Sequence, residues 1–314
     1  MQKMKKTIIL CSALAILASA ACNKSNSDST TTPSLSGLSL SDTPPTYIKV
    51  GSTVTITADV SSLAASDGSK PTIGIFFQVN AAQKDTLTKD LSTYTGDISY
   101  TYKADTTGTY TVYCYAFAGS DYYSTSSTTT FNAIDPETVL DGTAADAEVT
   151  IGGITWKTAN LNKSDMGLSF LKSPILDGVL GRLYNWEEAV TACPSGWHLP
   201  SMADFESCFG DTDGVITSGD LMANATFEGV YMWEYWPQVV ITNKYGFNAL
   251  PIGYVDILDN FTTYDHYGEY ACWWTSDQDN GQGRFIYIYD EYKWARKALG
   301  DKKTLYMGVR CVKD

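Results

Sequence analysis

The stretch CPSGWHLPS, residues 193–201, puts Cys193, Pro194, Gly196, Trp197, His198 and Pro200 into nine positions. It lies between two segments with helix-start signatures. Upstream, Asn185 precedes WEEAVTA with Glu188 three residues on; downstream, Ser201 precedes MADFESCF with Asp204 three residues on, an acidic form of the capping box. Pro194 and Gly196 turn the chain out of the first helix. Pro200 has no N–H to donate and delivers Ser201 as the next cap. Trp197 and Leu199 are then the residues to fill a core between helices and sheet. On this reading the stretch is a folding device. The competing readings are a metal site and a catalytic loop. A zinc site needs three or four converging ligands. The chain has two histidines, His198 and His266, and no His-x-x-x-His, Cys-x-x-Cys or His-Glu pair. His198 is therefore expected to be structural.

Working outward, residues 147–314 read as an α+β domain. It opens with AEVTIGGITWKTANL, a hairpin pattern turning at Gly152-Gly153, and continues after the two helices in short strands and long aromatic loops. Residues 37–134 read as all-β. Val54, Ile56, Ala58 and Val60 alternate in one run, Ile73, Ile75, Phe77 and Val79 in a second, and Tyr110, Val112, Cys114 and Ala116 in a third. Turn residues bound each run, which predicts a sandwich. DTTGTYTVYCYA is similar to the Asp-x-x-Gly-x-Tyr corner of immunoglobulin-like modules. With no partner on the VTITADV strand, Cys114 is expected to be a buried free thiol. Residues 135–146, with Pro, Gly and acids and no sustained period, read as linker.

The first 21 residues pass from basic MQKMKK through a short apolar run to small residues, the pattern of a secretory signal. SAAC, ending at Cys22, resembles a bacterial lipobox, with Ser19 where that motif usually has Leu. Cys22 is thus the expected lipid anchor of an outer-membrane lipoprotein facing periplasm or medium; simple secretion is the alternative. Residues 22–36 read as its flexible tether. Removing residues 1–21 takes away Lys3, Lys5 and Lys6 and no acid, so the net charge of −13 becomes −16. Such a chain repels nucleic acid, which is excluded as a partner.

Five motifs in order carry a family resemblance: GGITWKTANLN, GRLYNWEEAVTACPSGWHLPSMADF, NKYGFNALPIGY, CWWTS and MGVRCVKD. Through them residues 147–314 resemble the Fibrobacter succinogenes major paralogous domain of bacterial lipoproteins and surface proteins. The resemblance implies a relation to C-type-lectin-like and formylglycine-generating-enzyme-like folds. The expected architecture is an all-β immunoglobulin-like sandwich followed by that α+β domain. The family motif implies a Cys193–Cys311 bond, closing a loop for which the chain-entropy model gives about 4–5 kcal/mol. Cys208 and Cys272 are then read as a second disulfide, with two reduced thiols as the alternative.

No catalytic constellation is visible. Glu187 and Glu188 are neighbours on a helix and cannot face each other across a cleft; they suit the helix dipole. Asp211, Asp213 and Asp220, with Asp277 and Asp279, make oxygen-rich loops for which calcium is the candidate ion, against a reading as solvated turns. The aromatic loops YMWEYW and CWWTS supply the ligand candidates Trp233, Tyr235, Trp236, Trp273 and Trp274, with core packing as the competing role. The expectation is a non-enzymatic recognition or adhesion head for glycan or surface polymer. The alternatives are a structural envelope protein with protein partners and a degenerate relative of the formylglycine-generating enzymes.

Overall fold

The computed structural model describes residues 35–42, 44–65, 72–80, 83–90, 97–118, 121–143, 146–210, 216–233, 239–259 and 261–314. The leader, Cys22 and most of the tether lie outside them. The chain divides into two compact units, Met1–Ala133 and Ile134–Asp314. It is predominantly β, with multiple sheets.

In the first unit, β1 (Ser39–Asp42), β3 (Thr53–Asp59) and β6 (Ile98–Lys103) form a three-stranded sheet in the order β1-β3-β6. The larger sheet runs β2-β9-β7-β4-β5, with β8 also on β7. Its strands are β2 (Tyr47–Lys49), β4 (Thr72–Val79), β5 (Gln83–Asp90), β7 (Gly108–Ala118), β8 (Asp121–Thr125) and β9 (Thr129–Ile134). The period-2 alternation places Val54, Ile56, Ala58, Ile75, Phe77, Val79, Tyr110, Val112, Cys114 and Ala116 in one core shared by both sheets. Ile73 belongs to the same alternation, but its side chain lies outside the described residues. The Tyr110 hydroxyl donates to the Thr106 carbonyl at 2.8 Å, closing the corner foreseen in DTTGTY. Cys114 is buried and stands outside any disulfide.

In the second unit, β10 (Glu148–Ile151) and β11 (Ile154–Lys157) form the expected hairpin. Gly152 and Gly153 turn it with φ of 63° and 81°. A Cβ on Gly152 would lie 2.0 Å from the Ser207 carbonyl oxygen, because the second helix docks onto this turn. That helix, α2 (Met202–Phe209), and α1 (Trp186–Ala192) each begin with a complete capping box, Ser201 with Asp204 and Asn185 with Glu188. Between them, Trp197 and His198 form β12, which joins a sheet of order β10-β11-β19-β12 with β19 (Val312–Lys313). CPSGWHLPS is therefore both a helix-to-helix turn and an edge strand. Leu199 is buried. Trp197 is half-buried, with the Lys157 ammonium 4.6 Å from its ring centre. Leu140 and Asp141, in the stretch read as linker, pair with Phe227 and Thr226 of this unit.

The unit's longest strands belong to two further three-stranded sheets. One has the order β14-β13-β18: β13 (Tyr254–Leu258), β14 (Phe261–Asp265) and β18 (Leu305–Tyr306). The other has the order β15-β16-β17: β15 (Tyr270–Asp279), β16 (Gln282–Tyr289) and β17 (Arg296–Gly300). Cys193 and Cys311 are bonded, with Cα atoms 5.9 Å apart, and tie the end of α1 to the final strand. Beside them Arg310 is fully buried. It donates to the carbonyls of Phe247 (2.6 Å) and Lys157 (3.2 Å) and to Asn160 Oδ1 (3.0 Å), and stacks over the Phe247 ring. Desolvation lowers its pKa to about 9, so it stays a cation at neutral pH. It thereby ties the carbonyls of Lys157 and Phe247 and the Asn160 side chain to one point.

Candidate functional site

The strand alternation of β15 decides the fate of the CWWTS aromatics. Ala271 and Trp273 face α2, where Trp273 meets Phe205, Phe209 and Phe247. Cys272 and Trp274 face the other way, into a cluster with Tyr184, Leu199 and Met307. Both tryptophans are core residues, 1% and 0% exposed, and their ring N–H groups are satisfied internally, by Asn160 Oδ1 and the Tyr184 carbonyl. Trp233 is buried too and donates to the Ala249 carbonyl. None of these three can touch a ligand, which corrects the ligand-contact reading in favour of core packing. Tyr235 and Trp236 lie outside the described residues.

The same alternation corrects the second disulfide. Cys208 packs with Trp273 on the α2 side of the sheet, and Cys272 points to the opposite side, so the sheet stands between them. Both are free thiols. Burial pushes each thiol far above its ordinary pKa, which leaves them poor nucleophiles.

Other polar candidates have structural partners. His198 Nδ1 lies 2.8 Å from Asp314 Oδ1. Glu188 is held by the Asn185 cap, and Glu187 is exposed. Asp220 accepts from the N–H of Thr217 and the hydroxyl of Thr242, Asp277 from the N–H of Met202, and Asp279 from Arg284. Asp211 and Asp213 lie outside the described residues. Among the described residues, no three His, Cys, Asp or Glu side chains are grouped to hold a metal ion.

What gathers at the surface is a different aromatic set. The face of β15-β16-β17 that carries Cys272 also presents Tyr270, Phe285, Tyr287 and Tyr289, because Tyr270 pairs with Tyr289 and Cys272 with Tyr287. Their rings form a file. Tyr270 and Tyr289 stack at 5.0 Å, Tyr289 and Tyr292 at 5.8 Å, and the Arg296 guanidinium caps Tyr292 at 3.9 Å. Stacked side by side, the rings present edges and hydroxyls outward. Facing them, β13 contributes Tyr254 and Asp256, two residues apart and so on one side of their strand. His266 lies between the walls, 5.6 Å from the Tyr254 ring and 4.6 Å from Tyr270, with Nδ1 3.0 Å from Glu269 Oε2. Tyr254, Asp256, His266, Tyr270, Cys272 and Tyr287, with Leu305 and Met307, line an open cleft of about 330 Å³.

The hydroxyls of Tyr254, Tyr270, Tyr287 and Tyr289 have no hydrogen-bond partner among the described residues. Desolvation pushes Tyr254 and Tyr270 up to about 12 and raises Tyr287, so all three are neutral donors at physiological pH. The site is thus an aromatic pocket whose polar tips are unused. Tyr270 adjoins CWWTS, and Tyr254 closes NALPIGY. The signal that locates the rest is the run Phe285, Tyr287, Tyr289 alternating with Ile286 and Ile288, aromatic on one face and aliphatic on the other.

Comparison with known proteins places the second unit in sequence space. The profile of the Fibrobacter succinogenes major domain matches residues 149–313. No curated protein matches the chain. Among solved structures, the PKD domain of a peptidase from a Thermoplasmatales archaeon aligns at 18% identity and a TM-score of 0.21, over 33% of this chain and 92% of that one. The superoxide reductase (neelaredoxin) from Ignicoccus hospitalis aligns at 9% identity and a TM-score of 0.19, over 33% and 81%.

Proposed function

Residues 149–313 make this chain a member of the Fibrobacter succinogenes major domain family, and on that footing we propose that it is a lipid-anchored protein of the cell envelope. In this reading Cys22 carries the anchor and the first unit, an immunoglobulin-like sandwich, acts as spacer. The second unit, lectin-like in role and fold relation, is a non-catalytic head that binds glycan or surface polymer. The observation that carries the reading is the pocket between Tyr254 and Tyr287. Aromatic walls with unused hydroxyls suit a ligand that offers both apolar ring faces and polar groups. The anchor rests on the apolar run ending in SAAC.

Two measurements test the proposal. Cys22→Ala releases the protein from membranes and abolishes lipid labelling; unchanged partitioning refutes the anchor. On an array of bacterial and plant glycans, the full chain gives signals that Tyr287→Ala loses while retaining its melting temperature; a blank array refutes the glycan head. One feature favours the second reading, a structural envelope protein with protein partners. The β13–β14 hairpin ends in Leu258 and Phe261, paired across the strands and 60% and 77% exposed. Residual formylglycine-type chemistry has less support, since Cys208 and Cys272 face opposite sides of one sheet.

A further inference from the structure

We infer that the tyrosine-lined pocket selects a glycan that carries a free amine, an unacetylated amino sugar whose ammonium sits on Asp256. This rests on the glycan-head reading and names its ligand class. Asp256 lines the cavity and is half-buried. The described residues give its carboxylate neither a hydrogen bond nor an ion pair. The other acids around the pocket are engaged: Glu269 Oε2 with His266 Nδ1 at 3.0 Å, and Asp265 Oδ1 with the His266 N–H at 2.9 Å. The cation on the tyrosine face, Arg296, is turned onto the Tyr292 ring. One carboxylate without a protein partner therefore lines the aromatic cleft, where it can accept from a cationic ligand group.

The remaining chemistry narrows the occupant. An anionic polymer meets an unpaired carboxylate and a chain of net charge −13, or −16 once residues 1–21 are removed. A bare metal ion would lack a ligand set, since among the described residues no three His, Cys, Asp or Glu side chains are grouped to hold one. The cavity, at about 330 Å³, has room for one sugar ring. Tyr254, Tyr270 and Tyr287 then offer neutral phenols to its hydroxyls, while Asp256 accepts from the ammonium in a charge-assisted bond.

The test compares glucosamine oligomers with their N-acetylated counterparts by calorimetry on the full chain, with Nα-acetyl-lysine amide as a non-sugar amine. The amine oligomer is expected to bind about tenfold or more tightly than the acetylated one. Asp256→Asn, with an unchanged melting temperature, is expected to erase that preference. Equal binding of the two oligomers overturns the inference and leaves the glycan head standing. Binding of the lysine amide alone overturns the sugar assignment. If neither oligomer binds, the inference fails, and the array separately decides the glycan head. Because the oligomer comparison needs no mutant, an Asp256→Asn variant that fails to fold does not spare the inference.

Discussion

Trp273 and Cys272 are neighbours in sequence and belong to opposite faces of one three-stranded sheet. The Trp273 face, with Ile286 and Ile288, is sealed by α2 and closes the core around Phe205, Phe209 and Phe247. The Cys272 face is sealed only in part. Trp274 is covered by Tyr184 and Met307, and the tyrosines farther along are half-buried with their hydroxyls unpaired. The first face is largely aliphatic and takes most of its aromatic neighbours from α2 and Phe247, the second carries its own aromatics, and the two have opposite roles. What separates them is whether a helix or a cavity lies above, and whether each polar tip finds a partner inside.

The largest expected effect is on the sealed face. Trp273→Ala should cost about 3–5 kcal/mol in denaturant unfolding, since it empties a buried volume and leaves Asn160 Oδ1 short of a donor. A cost below about 1 kcal/mol would break the comparison. Next comes the covalent tie. Replacing Cys193 and Cys311 by Ala should cost about 2–5 kcal/mol, the bond closing a separation of 118 residues. A non-reducing peptide map of the parent should show this bond, with Cys208 and Cys272 alkylated only after unfolding; a 208–272 peptide would overturn the facing of the two strand sides.

A smaller, pH-dependent effect belongs to the open face. Tyr270 on it, Tyr254 opposite it and Tyr184 beneath have folded-state values near 12 against about 10 unfolded. Between those values the folded chain holds more protons than the unfolded one. Their contribution is therefore fully present below about pH 10 and lost as pH rises toward 12. Phenolate absorbance should show this group titrating late and together with alkaline unfolding; ordinary titration at pH 10 in a still-folded protein would contradict it. The smallest effect on stability is Tyr287→Phe, expected within about 0.5 kcal/mol because its hydroxyl bonds to nothing described. The same change should weaken ligand binding, and a purely structural face would leave binding untouched.

Much of this was legible in residues alone. The alternating runs near Val54, Ile75 and Val112, the Tyr110 corner, the Gly152-Gly153 turn and both capping boxes are local rules, because neighbours in sequence enforce them. The Cys193–Cys311 bond was legible only through the family motif. CPSGWHLPS was readable as the device joining two helices, though its pairing with Val312 and Lys313 was not. The tertiary structure alone decided which aromatic is core and which is surface. Periodicity says that Cys272 and Trp273 point apart, but not which side α2 will cover. Packing on the α2 side buried Trp233 and Trp273, Tyr184 and Met307 covered Trp274, Cys208 and Cys272 ended on opposite sides of the sheet, and Tyr254, Asp256 and His266 came to lie opposite Tyr270 and Tyr287. A pocket is made of long-range neighbours, and the physical cause is that burial is set by whatever element packs on a face rather than by the strand that bears it.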